Sequence, residues 1–177
     1  MASTTETLDL AAMQLHAGQG ARLEQAIEIG ELWFSGGRYA LTPDPLPVIV
    51  DISRTVADGY ALRLRFEADL KGACMRCLEA AERHFTIDVR ELFQPDPAGG
   101  DEDYESDYLS GEGLLRLRAW ANDALVLALP PAILCRKACA GLCPVCGENL
   151  NSAAPGHHHE QGPDPRWAKL SELKFDE

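Results

Sequence analysis

Apolar and polar residues alternate strictly along the segment that follows Pro47. Val48, Val50 and Ile52 mark one face of a first strand, and Ala57-Asp58-Gly59 is typical of a hairpin turn in which φ becomes positive. The next strand carries apolar residues on one face and charged residues on the other: Tyr60, Leu62, Leu64, Phe66, Ala68 and Leu70 against Arg63, Arg65, Glu67, Asp69 and Lys71. One buried face and one wet face predict an antiparallel sheet.

Further along the chain, a third strand is predicted by the alternation of Phe85, Ile87 and Val89. The period then changes to three or four residues, which predicts a helix over residues 114–129 that packs on the sheet. Its apolar stripe consists of Leu117, Trp120, Ala121, Ala124, Leu127 and Ala128. Pro130-Pro131 ends this helix, because proline cannot donate the next backbone hydrogen bond.

The remaining segments give weaker signals. Residues 1–25 show little pattern, and Ile27 to Phe34 predict a strand that enters the core. Residues 36–47, with two glycines and three prolines, predict an exposed connection. Pro165 to Phe175 predict a short terminal helix with Asp164 as its N-cap.

These elements predict an α+β fold, in which an antiparallel sheet of hairpins is packed by one main helix. Residues 1–95 form the mainly antiparallel β part, residues 96–113 an acidic linker, and residues 114–177 the helix, a cysteine-rich region and the terminal helix. A chain of 177 residues suits one compact domain that contains all three parts.

The six cysteines are closely spaced, and they predict a metal site. Cys74 and Cys77 occupy the tip of the hairpin that follows the long strand, and the others fall within twelve residues: Cys135, Cys139, Cys143 and Cys146. Thiolates suit Zn²⁺, and a structural zinc site takes four ligands in a tetrahedron. We therefore predict about one structural zinc per chain, with all six cysteines as candidate ligands.

Sequence spacing leaves the choice of ligands open. The last four cysteines could close a site by themselves, or Cys74 and Cys77 could combine with either later pair. His157-His158-His159 is a conceivable source of ligands, but its glycine and proline neighbours favour a solvated loop. Disulfides and redox chemistry are weaker alternatives, because the first fifteen residues do not resemble a signal peptide and a reducing cytoplasm is expected.

Charge narrows the class of partner. The net charge is −12, and the predicted linker contributes seven acidic residues and no basic ones. Because phosphate binding normally requires a basic face, a basic protein is favoured over RNA as the main partner. Candidate contacts to a partner or to RNA are Arg63, Arg65, Asp101, Glu102 and Asp103. The two arginines also have a plain structural explanation, which is pairing with acids across the sheet.

Three blocks of sequence resemble the YceD family of large ribosomal RNA subunit accumulation proteins. They are Cys74-Met-Arg-Cys77-Leu78, the segment from Leu129-Pro130 through the four clustered cysteines to Leu150-Asn151, and Asp164-Pro165-Arg166-Trp167-Ala168 with Leu170. The resemblance covers roughly residues 25–173. It implies a bacterial cytoplasmic protein needed for accumulation of large-subunit ribosomal RNA, with no established reaction.

Two functions of different class follow. The first is a non-enzymatic, zinc-binding factor in ribosomal RNA processing and large-subunit assembly, with a basic ribosomal protein or assembly factor as partner and large-subunit RNA as a secondary contact. The alternative is a cysteine-based redox or zinc-dependent enzyme. No P-loop, dinucleotide fingerprint, nucleophile elbow or HExxH motif supports the alternative, and neither a membrane span nor a small-molecule substrate is expected.

Overall fold

The computed structural model describes residues 4–56, 58–94, 106–159 and 166. Within these ranges the elements follow one another as β1 Leu8–Asp9, β2 Gly20–Ile27, β3 Leu32–Phe34, β4 Gly37–Thr42, β5 Leu46–Arg54, β6 Tyr60–Ala73, β7 Ala80–Phe93, β8 Leu114–Leu115 and α1 Leu117–Ala128. The predicted α+β class, an antiparallel sheet with one main helix, is confirmed.

Strand β6 organises the main sheet. One of its edges pairs with β7 over the whole strand, from Tyr60↔Phe93 to Ala73↔Ala80. Its other edge is shared end to end by two strands, because β5 pairs with residues 60–65 and β4 with residues 69–72. The outer strand β2 pairs with β5 and β3 with β4, so every pairing in the sheet is antiparallel.

The alternation along β6 is confirmed in the core. Its six apolar residues from Tyr60 to Leu70 are buried, while the intervening charged residues are partly or fully exposed. The buried face continues into α1 and into the small two-stranded sheet of β1 and β8, where Leu115 and Leu10, the residue after β1, are fully buried. Apolar burial of this kind contributes roughly 1.5–3 kcal/mol for each large aliphatic side chain.

The helix is shorter than predicted, and its stripe ends earlier. Leu114–Leu115 pairs with β1, so the helix begins at Leu117. Its buried residues are Leu117, Trp120, Ala121, Ala124 and Leu125. The prediction that Leu127 belongs to the buried stripe is wrong, because Leu127 lies on the flank of the stripe at 3.6 residues per turn and is 85% exposed. Ala128 lies in line with the stripe but is exposed in the last turn.

Four strands were not predicted: the short strands β1 and β8, and the longer strands β2 and β4. β2 lies partly in the weakly patterned N-terminal segment, and β4 lies in the segment predicted to be an exposed connection. β4 nevertheless buries Tyr39 and Leu41, which alternate as strand residues do. The predicted strand from Ile27 to Phe34 is interrupted between β2 and β3. The segment does enter the core, because Ile27 and Ile29 are buried in it, but Trp33 on β3 is 72% exposed.

Candidate metal centre

The tip of the β6–β7 hairpin forms a tight knuckle around Cys74 and Cys77. The backbone N–H of Cys74 donates to the carbonyl of Glu79 at 2.7 Å, and the N–H of Leu78 donates to the carbonyl of Cys74 at 2.9 Å. Leu78 adopts a φ of 62°, a left-handed conformation that closes the turn. Both cysteines are buried, so the hairpin presents two inward-facing sulfur atoms.

The segment that follows α1 brings a second pair of cysteines to this knuckle. The N–H of Met75 donates to the carbonyl of Ile133 at 2.9 Å, and the guanidinium of Arg76 donates to the carbonyl of Cys139 at 3.0 Å. Ile133 is fully buried in the core. These contacts fix Cys135 and Cys139 beside the hairpin.

The resulting first cluster consists of Cys74, Cys77, Cys135 and Cys139. Its sulfur atoms all lie within 4.8 Å of one another, with 3.7 Å from Cys74 to Cys139 and 3.6 Å from Cys77 to Cys135. A tetrahedral zinc with Zn–S distances near 2.3 Å separates its sulfur ligands by ~3.8 Å, whereas a disulfide would require about 2.05 Å. The geometry fits a four-thiolate metal site, and this set is one of the combinations that the sequence left open.

The thiol groups of the first cluster differ in acidity. Burial raises the pKa of Cys74, but the backbone N–H groups of Cys135, Cys77 and Arg76 outweigh burial and bring it to about 6. A hydrogen bond from the side chain of Asn151 lowers the pKa of Cys139. Burial and neighbouring thiols raise the pKa of Cys135 to about 12. Two of the sulfur atoms therefore already lie among donors that stabilise a thiolate, the form that binds a metal.

A second knuckle repeats the first around Cys143 and Cys146. The N–H of Cys143 donates to the carbonyl of Glu148 at 2.8 Å, and the N–H of Gly147 donates to the carbonyl of Cys143 at 2.8 Å. Gly147 has a φ of 76° and takes the place that Leu78 holds in the first knuckle. The two C-x-x-C turns are thus the same local structure used twice.

Two histidines lie against the second knuckle. The Nε2 atoms of His157 and His159 lie 3.6 and 3.2 Å from the sulfur of Cys146, and the four donor atoms of Cys143, Cys146, His157 and His159 lie within 4.8 Å of one another. The expectation of a purely solvated histidine loop is wrong for these two residues, because the turn after Asn151 folds back onto the knuckle. His158 is exposed and its Nδ1 faces the carbonyl of Gly156 at 2.7 Å.

Electrostatics in this second cluster favour a thiolate beside an imidazole. Backbone N–H groups, chiefly that of Cys146, together with His157 lower the pKa of Cys143 to about 6. The same contact with Cys143 raises the pKa of His157, and Glu148 adds to this rise. The Nδ1 of His157 lies 3.0 Å from a carboxylate oxygen of Glu148.

Polar contacts join the two clusters. The side chain of Asn151 accepts from the N–H of Ala140 at 2.9 Å and donates toward the sulfur of Cys139 at 3.5 Å. Asn149 donates to Glu79 at 2.8 Å, at the base of the first knuckle. The second knuckle therefore rests directly on the first cluster.

The predicted contact arginines lie away from the cysteines, on the solvated face of the sheet. Arg63 makes two hydrogen bonds to Asp88 at 2.6 and 2.7 Å, and Arg65 pairs with Asp51 at 2.7 Å. The cross-strand pairing expected from the sequence is present. Asp101, Glu102 and Asp103 lie outside the described residues, as does the predicted terminal helix apart from Arg166.

Comparison with known proteins identifies the family. The model of the family described as "Large ribosomal RNA subunit accumulation protein YceD" matches residues 62–174, a range that includes both clusters. The chain belongs to the YceD family. The resemblance found in the sequence is therefore confirmed, and the family's name links it to large-subunit ribosomal RNA.

Several curated mycobacterial proteins are similar to this YceD protein. The chain is 38% identical over 121 residues to the uncharacterized protein Rv2926c of Mycobacterium tuberculosis. The aligned region covers 67% of this chain and 58% of the relative. The chain is 35% identical over 130 residues to the uncharacterized protein ML1660 of Mycobacterium leprae, covering 72% of this chain and 59% of the relative. The match thus spans less than two thirds of each relative. No solved structure matches the chain.

Across the part of the chain that the structure describes, no helix is both long and apolar enough to cross a membrane.

Proposed function

We propose that this protein is a non-enzymatic, zinc-binding factor that supports accumulation of large-subunit ribosomal RNA by binding a basic ribosomal protein or assembly factor. Family membership carries this proposal, because the family is named for that accumulation. Its site of action is then the bacterial cytoplasm, where large subunits assemble. The sheet, the helix and the cysteine-rich region act as one compact domain in this proposal.

The first cluster supports a structural zinc over a catalytic one. A catalytic zinc has three protein ligands and keeps its fourth position for water or substrate, whereas a structural zinc has four protein ligands. Cys74, Cys77 and Cys139 are buried, and Cys135 completes the set of four. Four thiolates at tetrahedral separations leave no ligand position for a substrate, so the enzymatic alternative loses its main support.

The ion pairs of the sheet favour a protein partner over RNA. Arg63 pairs with Asp88, Arg65 with Asp51, and Lys71 with Glu82 at 3.0 Å. All three cations lie on the solvated face of β6, and each has a carboxylate as its partner. Binding to phosphate would have to displace these acids, so we expect direct RNA contact to be weak.

A largely apolar groove with three carboxylates in its lining offers a place for a basic side chain of the partner. It has a volume of about 710 Å³ and opens where β4 and β5 meet along β6. Glu24, Glu67 and Asp69 contribute carboxylates to its lining, against Arg65 and His84. The Nδ1 atom of His84 lies 2.8 Å from a carboxylate oxygen of Asp69, so Asp69 already has a partner within the sheet. We therefore propose that Glu24 and Glu67 are the carboxylates that contact the protein partner.

Ribosome profiles test this proposal directly. Cells that lack the protein should show a deficit of free large subunits and of large-subunit RNA on sucrose gradients. The wild-type protein should restore them, and Glu24→Gln with Glu67→Gln should restore them less well. Glu82→Gln is the matched control, because Glu82 is also an exposed acid of the sheet but lies outside the groove. Normal profiles in the deletion strain would contradict the proposal.

RNA binding is tested separately by filter binding across a salt series. We expect weak binding of the purified protein to large-subunit RNA, without the steep salt dependence that many phosphate contacts produce. Tight, strongly salt-dependent binding that is abolished by Arg63→Ala with Arg65→Ala would show that RNA is the primary partner. The proposed contact through Asp101, Glu102 and Asp103 would then also lose its basis.

A further inference from the structure

We propose that the chain binds a second zinc ion, through Cys143, Cys146, His157 and His159. This second cluster shares no ligand with the first cluster, and its ligand set mixes thiolates with imidazoles. The prediction from the six cysteines was about one zinc per chain; the histidines raise the expected number to two. The inference concerns metal content and is independent of any role in ribosome assembly.

Distances support a shared tetrahedral ion. With Zn–S near 2.3 Å and Zn–N near 2.05 Å, a tetrahedral zinc separates its sulfur and nitrogen ligands by about 3.6 Å. The distance from the sulfur of Cys146 to Nε2 of His157 is 3.6 Å, and the distance to Nε2 of His159 is 3.2 Å. All four donor atoms fit within 4.8 Å. Both imidazoles thus present the same nitrogen toward the knuckle.

Glu148 supplies a supporting contact of the kind that metal-bound histidines commonly have. Its carboxylate lies 3.0 Å from Nδ1 of His157, while Nε2 of the same ring lies on the side of Cys146. A carboxylate in this position fixes the tautomer that leaves Nε2 free to bind a metal. Glu148 is also the residue whose carbonyl closes the Cys143 knuckle, so the turn that positions the sulfurs also orients the imidazole.

The two clusters differ in access to solvent, which sets the order of metal loss. Three of the four cysteines of the first cluster are buried, whereas Cys146 and His159 are exposed in the second cluster. A chelator can reach exposed ligands without opening the core. We therefore expect the second ion to leave first, with the first ion retained under the same conditions.

Metal analysis of anaerobically purified, buffer-exchanged full-length protein tests this. The wild type should contain two zinc ions per chain, and the variant His157→Gln with His159→Gln should contain one. His158→Ala is the matched control, because it removes an imidazole from the same run that lies outside the cluster, and it should retain two. Cobalt substitution supplies a second readout, since the visible bands of the wild type should contain a sulfur–nitrogen component that the double variant lacks.

A ligand swap guards against loss of folding as an explanation. Replacing both histidines by cysteine, as His157→Cys with His159→Cys, preserves four ligands and should restore two ions per chain with an all-thiolate cobalt spectrum. One zinc in the wild type, or two in the His157→Gln, His159→Gln variant, would overturn the second site. Neither result bears on metal binding at the first cluster, which the variant Cys135→Ser with Cys139→Ser tests separately.

Discussion

Replacing Asn151 by alanine tests whether the first cluster depends on the contacts that surround it. The side chain of Asn151 donates toward the sulfur of Cys139 at 3.5 Å, and it accepts from the N–H of Ala140 at 2.9 Å. The hydrogen bond from Asn151 is also the main reason why the pKa of Cys139 is lowered. Asn151→Ala removes this donor while leaving all four thiols in place.

The expected loss of zinc affinity can be obtained in two ways. Removal of a residue that supports a metal ligand typically costs 10–100-fold in affinity, or about 1.4–2.8 kcal/mol. A hydrogen bond to a charged group contributes about 1.5–3 kcal/mol. The two ranges agree, so we expect the dissociation constant for zinc at the first cluster to rise about 10–100-fold.

Competition with a chromophoric chelator under reducing conditions measures this constant. The His157→Gln, His159→Gln background restricts the measurement to the first cluster. Ser152→Ala is a suitable control, because Ser152 is exposed and its hydroxyl donates to the carbonyl of Asn149 at 3.3 Å, away from the sulfur atoms. A dissociation constant unchanged within about twofold in Asn151→Ala would refute the argument that this amide stabilises the thiolate.

Three further predictions concern stability. Leu78→Gly should stabilise the protein by about 0.5–1 kcal/mol, because the strain of a left-handed leucine exceeds the entropy cost of glycine. Gly147→Ala should destabilise it by about 1 kcal/mol, because it places a side chain in the same left-handed conformation. Thermal unfolding that shifts in the same direction for both variants would contradict this. Gly72→Ala should cost about 3 kcal/mol in denaturant unfolding, since the added methyl group collides with the buried ring of Tyr39. The hydrogen bond from Arg22 lowers the pKa of Asp51 in the folded protein, so the ionised carboxylate stabilises the fold above the unfolded pKa, and this contribution is lost as the pH falls through the folded pKa. We therefore expect the melting temperature of Asp51→Asn to fall less than that of the wild type between neutral and acidic pH.

Strand β6 shows what periodicity can predict in this chain. Its alternation assigns each residue to a face, because a strand with one wet side repeats every two residues. The sequence carries no comparable signal for the edges of β6, since edge pairing uses backbone groups that every residue has. The end-to-end placement of β4 and β5 on one edge was therefore not predicted, and the short β4 was mistaken for part of an exposed connection marked by glycines and prolines.

The candidate metal site also has one feature that the sequence predicts and another that it does not. The spacing of the C-x-x-C pairs predicts the kind of ligand, because two thiolates separated by two residues can contact one ion from a single turn. The spacing does not say which pairs meet, since that depends on how the segment after α1 returns to the hairpin. The contact of two histidines with the second knuckle was missed for a related reason. His157 and His159 resemble a polar loop until the turn after Asn151 places them on Cys146, and their i, i+2 spacing beside a second knuckle was the signal that could have identified them.

The first cluster also has a consequence for how the chain folds during synthesis. Its two halves are separated by 58 residues between Cys77 and Cys135, and a cross-link over a loop of that length removes about 4 kcal/mol of chain entropy from the unfolded state. At roughly 5–20 residues per second, translation supplies the second half about 3–12 s after the first. For several seconds the hairpin therefore carries two thiols whose partner cysteines have not yet been synthesised. We expect the yield of folded protein to depend on the concentrations of zinc and reductant during translation.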